Sequence, residues 1–165
     1  MVKRLITRYF KRRQLLAHAA LKQRYLVIDL ELTGLDAKQH EIVSLAWVVI
    51  ENQCIKMSQS QHLINKEVKN LAQSPVYHGI NNDNVAAGQS LHSILEHLSE
   101  HFNDCILVFH NAMLDWGFLK LAIKNAGIIQ RPKLIIDTLK IEKKRLLQHA
   151  SDIKLDDLTL NDFVC

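Results

Sequence analysis

The chain has 165 residues, 48% hydrophobic and 23% charged, with a formal charge of +4; this is the composition of one folded globular domain, not of a disordered segment. Its longest apolar run, Ile42–Ile50, is far short of a bilayer span, which excludes a transmembrane helix. Cys54, Cys105 and Cys165 are scattered and form no CxxC pair, which argues against a disulfide framework or a structural zinc site and points to a reducing, cytoplasmic setting.

Charge is unevenly placed along the chain. Residues 1–24 hold Lys3, Arg4, Arg8, Lys11, Arg12, Arg13, Lys22 and Arg24 and no acid, a charge of +8. Residues 25–165 carry 13 basic and 17 acidic groups, a charge of −4. Leu5, Ile6, Tyr9, Phe10, Leu16, Ala19 and Ala20 recur at roughly helical spacing, so the arm reads as a basic amphipathic helix. Such a helix suits nucleic acid, an acidic partner or an anionic membrane surface; the plainer reading is a terminal helix with a solvated basic face.

The body predicts one α/β domain. Tyr25–Leu32 reads as a strand, ended by the turn chemistry of Thr33-Gly34-Leu35-Asp36. Glu41–Glu51 is a second strand, and Cys54–Ile64 a third, polar enough for a sheet edge. Asn65–Asn84 reads as irregular, with Pro75 and His78-Gly79 as breakers. Gln89–Phe102 predicts a helix with a stripe of Leu91, Ile94, Leu95, Leu98 and Phe102. Cys105–Phe109 is a short buried strand, and Met113–Asn125 a helix stopped by Gly127. Leu134–Ile136 is the last strand, Thr138–Ala150 a charged helix, and Asp156 opens a final helix. Three successive strands followed by alternating helix and strand predict a mixed sheet flanked by helices.

Two acidic features carry chemistry. Asp29 and Glu31 stand two apart on the first strand, so alternation projects both carboxylates to one side. Such a pair on an apolar strand is costly to bury unless a divalent cation offsets the charge, and hard oxygen ligands suit Mg²⁺ or Mn²⁺. The competing reading is an edge strand whose acids face solvent. Asp115 sits at a strand-to-helix junction, where open α/β sheets gather functional groups; alone it would be an ordinary acid favoured by the helix dipole. His97 and His101 are four apart on a helix, a metal-pair spacing, but Glu96 and Glu100 beside them favour a solvated face. Trp47 is expected in the core, and Trp116 suits either core or base stacking.

Together these residues resemble the DEDD superfamily of 3′–5′ exonucleases, in particular the proofreading branch typified by the ε subunit of bacterial replicative polymerase. Asp29-x-Glu31-x-Thr33-Gly34-Leu35 resembles its first motif, and His110-Asn111-x-x-x-Asp115 followed by Phe118-Leu119 its second. Glu41-Ile42-Val43, Val76-x-His78-Gly79-Ile80 and Asp137-Thr138-Leu139 are lesser echoes in the same order, and the resemblance covers about residues 25–165. It implies a ribonuclease H-like fold and two Mg²⁺ or Mn²⁺ ions. Asp29 bridges both ions in that scheme, Glu31 binds the ion holding the attacking water, and Asp115 positions the second ion and the scissile phosphate. Thr33, Gly34 and Leu35 contact the terminal nucleotide, with His78 and Asn111 as further substrate-side groups. The implied reaction releases nucleoside 5′-monophosphates from a single-stranded 3′ end of DNA or RNA, in the setting of proofreading or repair and with a polymerase subunit as partner.

The branch also uses a third motif, a His with an Asp five residues later, as general base and last metal ligand. The late histidine here is His149, and Lys154 stands five after it. The chain is therefore read as ending before that helix, a fragment of a longer enzyme. The alternative class is a non-catalytic module that binds nucleic acid or a polymerase through a degenerate nuclease fold, led by the basic arm.

Overall fold

The computed structural model describes residues 20–71 and 73–147. The basic arm lies almost wholly outside these residues, as do His149 and the final helix expected from Asp156. Ten elements follow in chain order: β1 (Arg24–Leu32), β2 (Ile42–Glu51), β3 (Cys54–Ile64), α1 (Pro75–His78), α2 (Asn82–Ala86), α3 (Leu91–Ser99), β4 (Cys105–Phe109), α4 (Ala112–Asn125), β5 (Ile135–Asp137) and α5 (Thr138–Leu147). Among the described residues no helix is long and apolar enough to cross a membrane.

The five strands form one sheet in the order β3-β2-β1-β4-β5. β1, β2 and β3 pair antiparallel, and β4 and β5 join parallel to β1. Asn52 and Gln53, both at positive φ (51° and 63°), make the tight β2–β3 connection, a backbone twist that suits two-residue hairpins. β3 is an edge strand, as its polarity predicts; β1 is the centre of the sheet.

Alternation on β1 sorts its two faces. Leu26, Ile28 and Leu30 are buried, together with Leu45, Trp47 and Val49 of β2 and Leu107 and Phe109 of β4. Ile94, Leu95 and Leu98 of α3 and Phe118, Leu119 and Ile123 of α4 complete this core. A smaller cluster of Val43, Leu71, Ile80 and Val85 supports the segment that carries α1 and α2.

Three expectations change. The stretch Asn65–Asn84 is not irregular throughout: it contains α1 and α2, which at four and five residues are too short to show a hydrophobic period. Pro75 begins α1 instead of breaking it, and Asn81 and Asn84 form a reciprocal cap on α2. The helix expected over Gln89–Phe102 is shorter, because Ser90 caps its start by accepting from the Ser93 N–H at 3.2 Å and the chain turns after Ser99. The stop at Gly127 holds: with φ of 71° it lets Gly127 N–H reach Lys124 O and Ile128 N–H reach Ile123 O, which closes the end of α4.

Candidate active site

The site assembles at one end of the central strands. Asp29 and Glu31 project from the face of β1 opposite the main core; Asp29 is exposed and Glu31 half-buried. Both readings of this pair were incomplete: the strand is central, yet its first acid reaches solvent among the described residues. Just beyond Glu31 the β1–β2 register shifts, from Glu31 opposite Ser44 to Leu32 opposite Ile42. The extra residue, Val43, makes a bulge of the kind that bends a strand and re-aims its side chains. Buried Asn65 braces it, donating from its side chain to Ile42 O at 2.8 Å and from its backbone to Val43 O at 2.9 Å.

The loop after β1 is held at both ends. Thr33 N–H donates to Glu41 O at 3.0 Å, and Glu41 N–H returns a bond to Thr33 Oγ1 at 2.9 Å. Asp36 closes the loop tip by accepting from Lys38 N–H and Gln39 Nε2, and these bonds hold its carboxyl below the ordinary range. Gly34 is required by space: a Cβ there would lie 2.5 Å from the His40 ring. Thr33, Gly34 and Leu35 therefore present one side of a cleft of roughly 630 Å³, with Glu31 on its floor and Tyr77 and His78 of α1 opposite. That volume is in the range of ligand pockets. Leu35 and Tyr77 are 78% and 86% exposed, an apolar rim on a concave site.

Asp115 enters from α4, one turn past Asn111, which is held at φ 71°, ψ 57° and makes no side-chain cap. Asp115 is only 6% exposed. Burial, then the charges of Asp29, Asp137 and Glu31, push its carboxyl up to about 7. Glu31 is raised in the same way by burial and by Asp29, and is partly relieved by His78 and His62. Four carboxylates thus share one field at the strand ends. Asp137, read in the sequence as part of an echo, belongs to this group; its side chain caps α5 by accepting from Lys140 N–H at 3.1 Å and lies 3.6 Å from Lys140 Nζ.

The donor set fits a hard divalent cation. Partly desolvated, mutually repelling carboxylates are disfavoured until a cation neutralises them. Among the described residues no three His, Cys, Asp or Glu side chains close on a single ion position. Mg²⁺ does not require that, because it is held by one or two carboxylates and completes its shell with water and phosphate oxygens.

Other candidates separate from this site. Asn111 is half-buried and does not line the cleft. His110 Nδ1 lies 3.1 Å from Thr138 Oγ1, which also donates to Phe109 O at 3.2 Å, tying the start of α4 to the start of α5. Trp47 is core, edge-on to His97 at 5.3 Å and near His101 at 6.4 Å, and no third metal-ligating group joins this pair among the described residues. Trp116 is half-buried and packs 6.3 Å from Phe109, which favours the core reading.

Comparison with known proteins agrees with this geometry. A DNA polymerase III of PolC type from Listeria monocytogenes is 32% identical over 148 residues, covering 86% of this chain and 10% of that protein. A protein named 3′-5′ exonuclease DinG from Staphylococcus aureus is 32% identical over 120 residues, covering 72% of this chain and 13% of its own length. The chain therefore spans only about a tenth of these relatives. A product-bound exonuclease I superposes with a TM-score of 0.67 at 14% identity over 81% of this chain and 34% of that one, which shows the shared fold. Escherichia coli exonuclease I in complex with a dT13 oligonucleotide superposes at 0.64 and 10% identity, over 81% of this chain and 32% of that one. The family model described as exonuclease (RNase_T) matches residues 26–161, and with a ribonuclease H-like sheet carrying its acids at the strand ends, the chain belongs to that exonuclease family.

Proposed function

We propose that this domain is a divalent-metal-dependent 3′–5′ exonuclease that removes nucleoside 5′-monophosphates from single-stranded 3′ ends of DNA or RNA. The observation that carries the reading is the acid cluster itself: Asp115, buried and driven up to about 7, shares its field with Asp29 and Glu31 beside the cleft. Asp29, Glu31 and Asp115 are the residues that hold the metal. When bound, Mg²⁺ or Mn²⁺ supplies charge for the phosphate and acidity for the attacking water.

The chain's own groups do the positioning. The backbone of Thr33, Gly34 and Leu35 and the ring of His78 hold the terminal nucleotide, while Leu35 and Tyr77 offer apolar surface to its base. Seating that nucleotide in the cleft presents the last phosphodiester to the carboxylates, and orientation of this kind accounts for much of catalysis at phosphoryl centres. Polymerase proofreading is the setting suggested by the PolC-type relative.

The test is cleavage of a 5′-labelled single-stranded oligonucleotide by the full chain in Mg²⁺ and in Mn²⁺. A 3′-end ladder is expected, lost in EDTA and reduced by at least ~10³-fold in Asp29→Ala. Oligonucleotide binding without any ladder would instead support a non-catalytic module.

A further inference from the structure

We propose that His78 is a fixed hydrogen-bond donor, through Nε2–H, to the 3′-hydroxyl of the terminal nucleotide, and so makes the cleft selective for 3′-hydroxyl ends. The tautomer follows from local geometry. Gly79, at φ 72°, turns the chain so that Ile80 N–H donates to His78 Nδ1 at 3.0 Å. A nitrogen that accepts carries no proton, so the neutral ring bears its hydrogen on Nε2. That Nε2 is shielded from solvent and has no partner among the described residues, while the ring lines the cleft with Glu31. A buried donor without an acceptor is disfavoured, and a ligand that brings an oxygen to it recovers the lost bond.

The neighbouring carboxylate narrows the ligand chemistry. A hydroxyl can accept from His78 and donate toward an acceptor such as Glu31; a 3′-phosphate is without donors when ionised and adds charge beside an acid. The same tautomer removes His78 as a general base, because its one lone pair is already engaged by Ile80. The wall that presents the ring is anchored independently: Ser74 Oγ donates to Leu71 O at 2.6 Å, and Gly79 N–H donates to Pro75 O at 2.9 Å.

The inference rests on the exonuclease reading, and binding separates the two. Anisotropy of the full chain is measured in Ca²⁺ with 5′-fluorescent single strands whose last linkage is a phosphorothioate, ending in 3′-hydroxyl, 3′-deoxy or 3′-phosphate. The wild type is expected to bind the 3′-hydroxyl end about tenfold more tightly than the 3′-deoxy end. In His78→Asn, Oδ1 replaces Nδ1 as the acceptor for Ile80 N–H, but nothing stands at the Nε2 position, so the preference should fall below about twofold. In His78→Gln, the amide N–H takes the place of Nε2–H, and most of the preference should return. A 3′-end ladder with equal binding of hydroxyl and deoxy ends would overturn this inference and leave the exonuclease reading intact, as would a His78→Asn protein as selective as wild type. Binding of no end at all would overturn both. Should His78→Asn melt early, the wild-type contrast between ends decides alone.

Discussion

Asp115 is the residue whose environment departs furthest from water. Its carboxyl has an ordinary value of 3.8 and is pushed up to about 7 in the fold. The native state therefore binds a proton more tightly than the unfolded chain does. The stability this gives is fully present below about 3.8 and is lost as pH rises through about 7. Metal-free protein should lose on the order of 2 kcal/mol between pH 4 and pH 7.5 from this group, after allowing for screening at the cleft. Asp115→Asn should flatten that slope and raise the melting temperature at pH 7.5, and Mg²⁺ should stabilise the wild type most at high pH. Chemical unfolding at several pH values checks all three; a wild-type slope of opposite sign would contradict them. Asp29 behaves differently, because it is exposed. Asp29→Ala should leave stability within about 0.5 kcal/mol while abolishing cleavage.

The loop between β1 and β2 converts the first motif into a binding wall. Its shape depends on Thr33 bonding Glu41 in both directions and on His40 packed over Gly34. Gly34→Ala places a methyl 2.5 Å from the His40 ring, which must swing out and leave Thr33 Oγ1, 3.4 Å from its Nδ1. Because His40 is exposed, the stability cost should stay under about 1 kcal/mol, but KM for an oligonucleotide should rise by roughly three- to tenfold with kcat less affected. Steady-state kinetics beside a melting curve separates the two effects. This loop was readable as a turn from Thr33-Gly34-Leu35-Asp36, and α4 was readable from its stripe and Gly127 stop. α1 was not, since four residues around a proline carry no period, and yet α1 supplies His78 and Tyr77 to the cleft.

Two apolar clusters give the molecule unequal firmness. The larger one locks the sheet to α3 and α4, and the smaller one, including Ile80 and Val85, holds the segment that forms the far wall of the cleft. Leu119→Ala, at a fully buried position, should cost ~2–5 kcal/mol and lower global stability. Ile80→Ala should act more locally: backbone amides over 73–87 should exchange faster while those of β1 and β2 keep their protection. Hydrogen exchange distinguishes these outcomes, and uniform loss of protection in Ile80→Ala would show the wall to be part of the main cooperative unit. Strands, helices and the Asp29–Glu31 pair were legible along the chain because alternation and helical spacing are local and repeat within a few residues. Bringing Asp115 to that pair was not local: it depends on β4 lying parallel beside β1, so that α4 starts at the same end of the sheet. The family resemblance pointed to Asp115, but Asp137 in the acid field and the exposure of Asp29 emerged from packing. Periodicity says which way a side chain faces, whereas burial and shared charge depend on what distant segments lay against it.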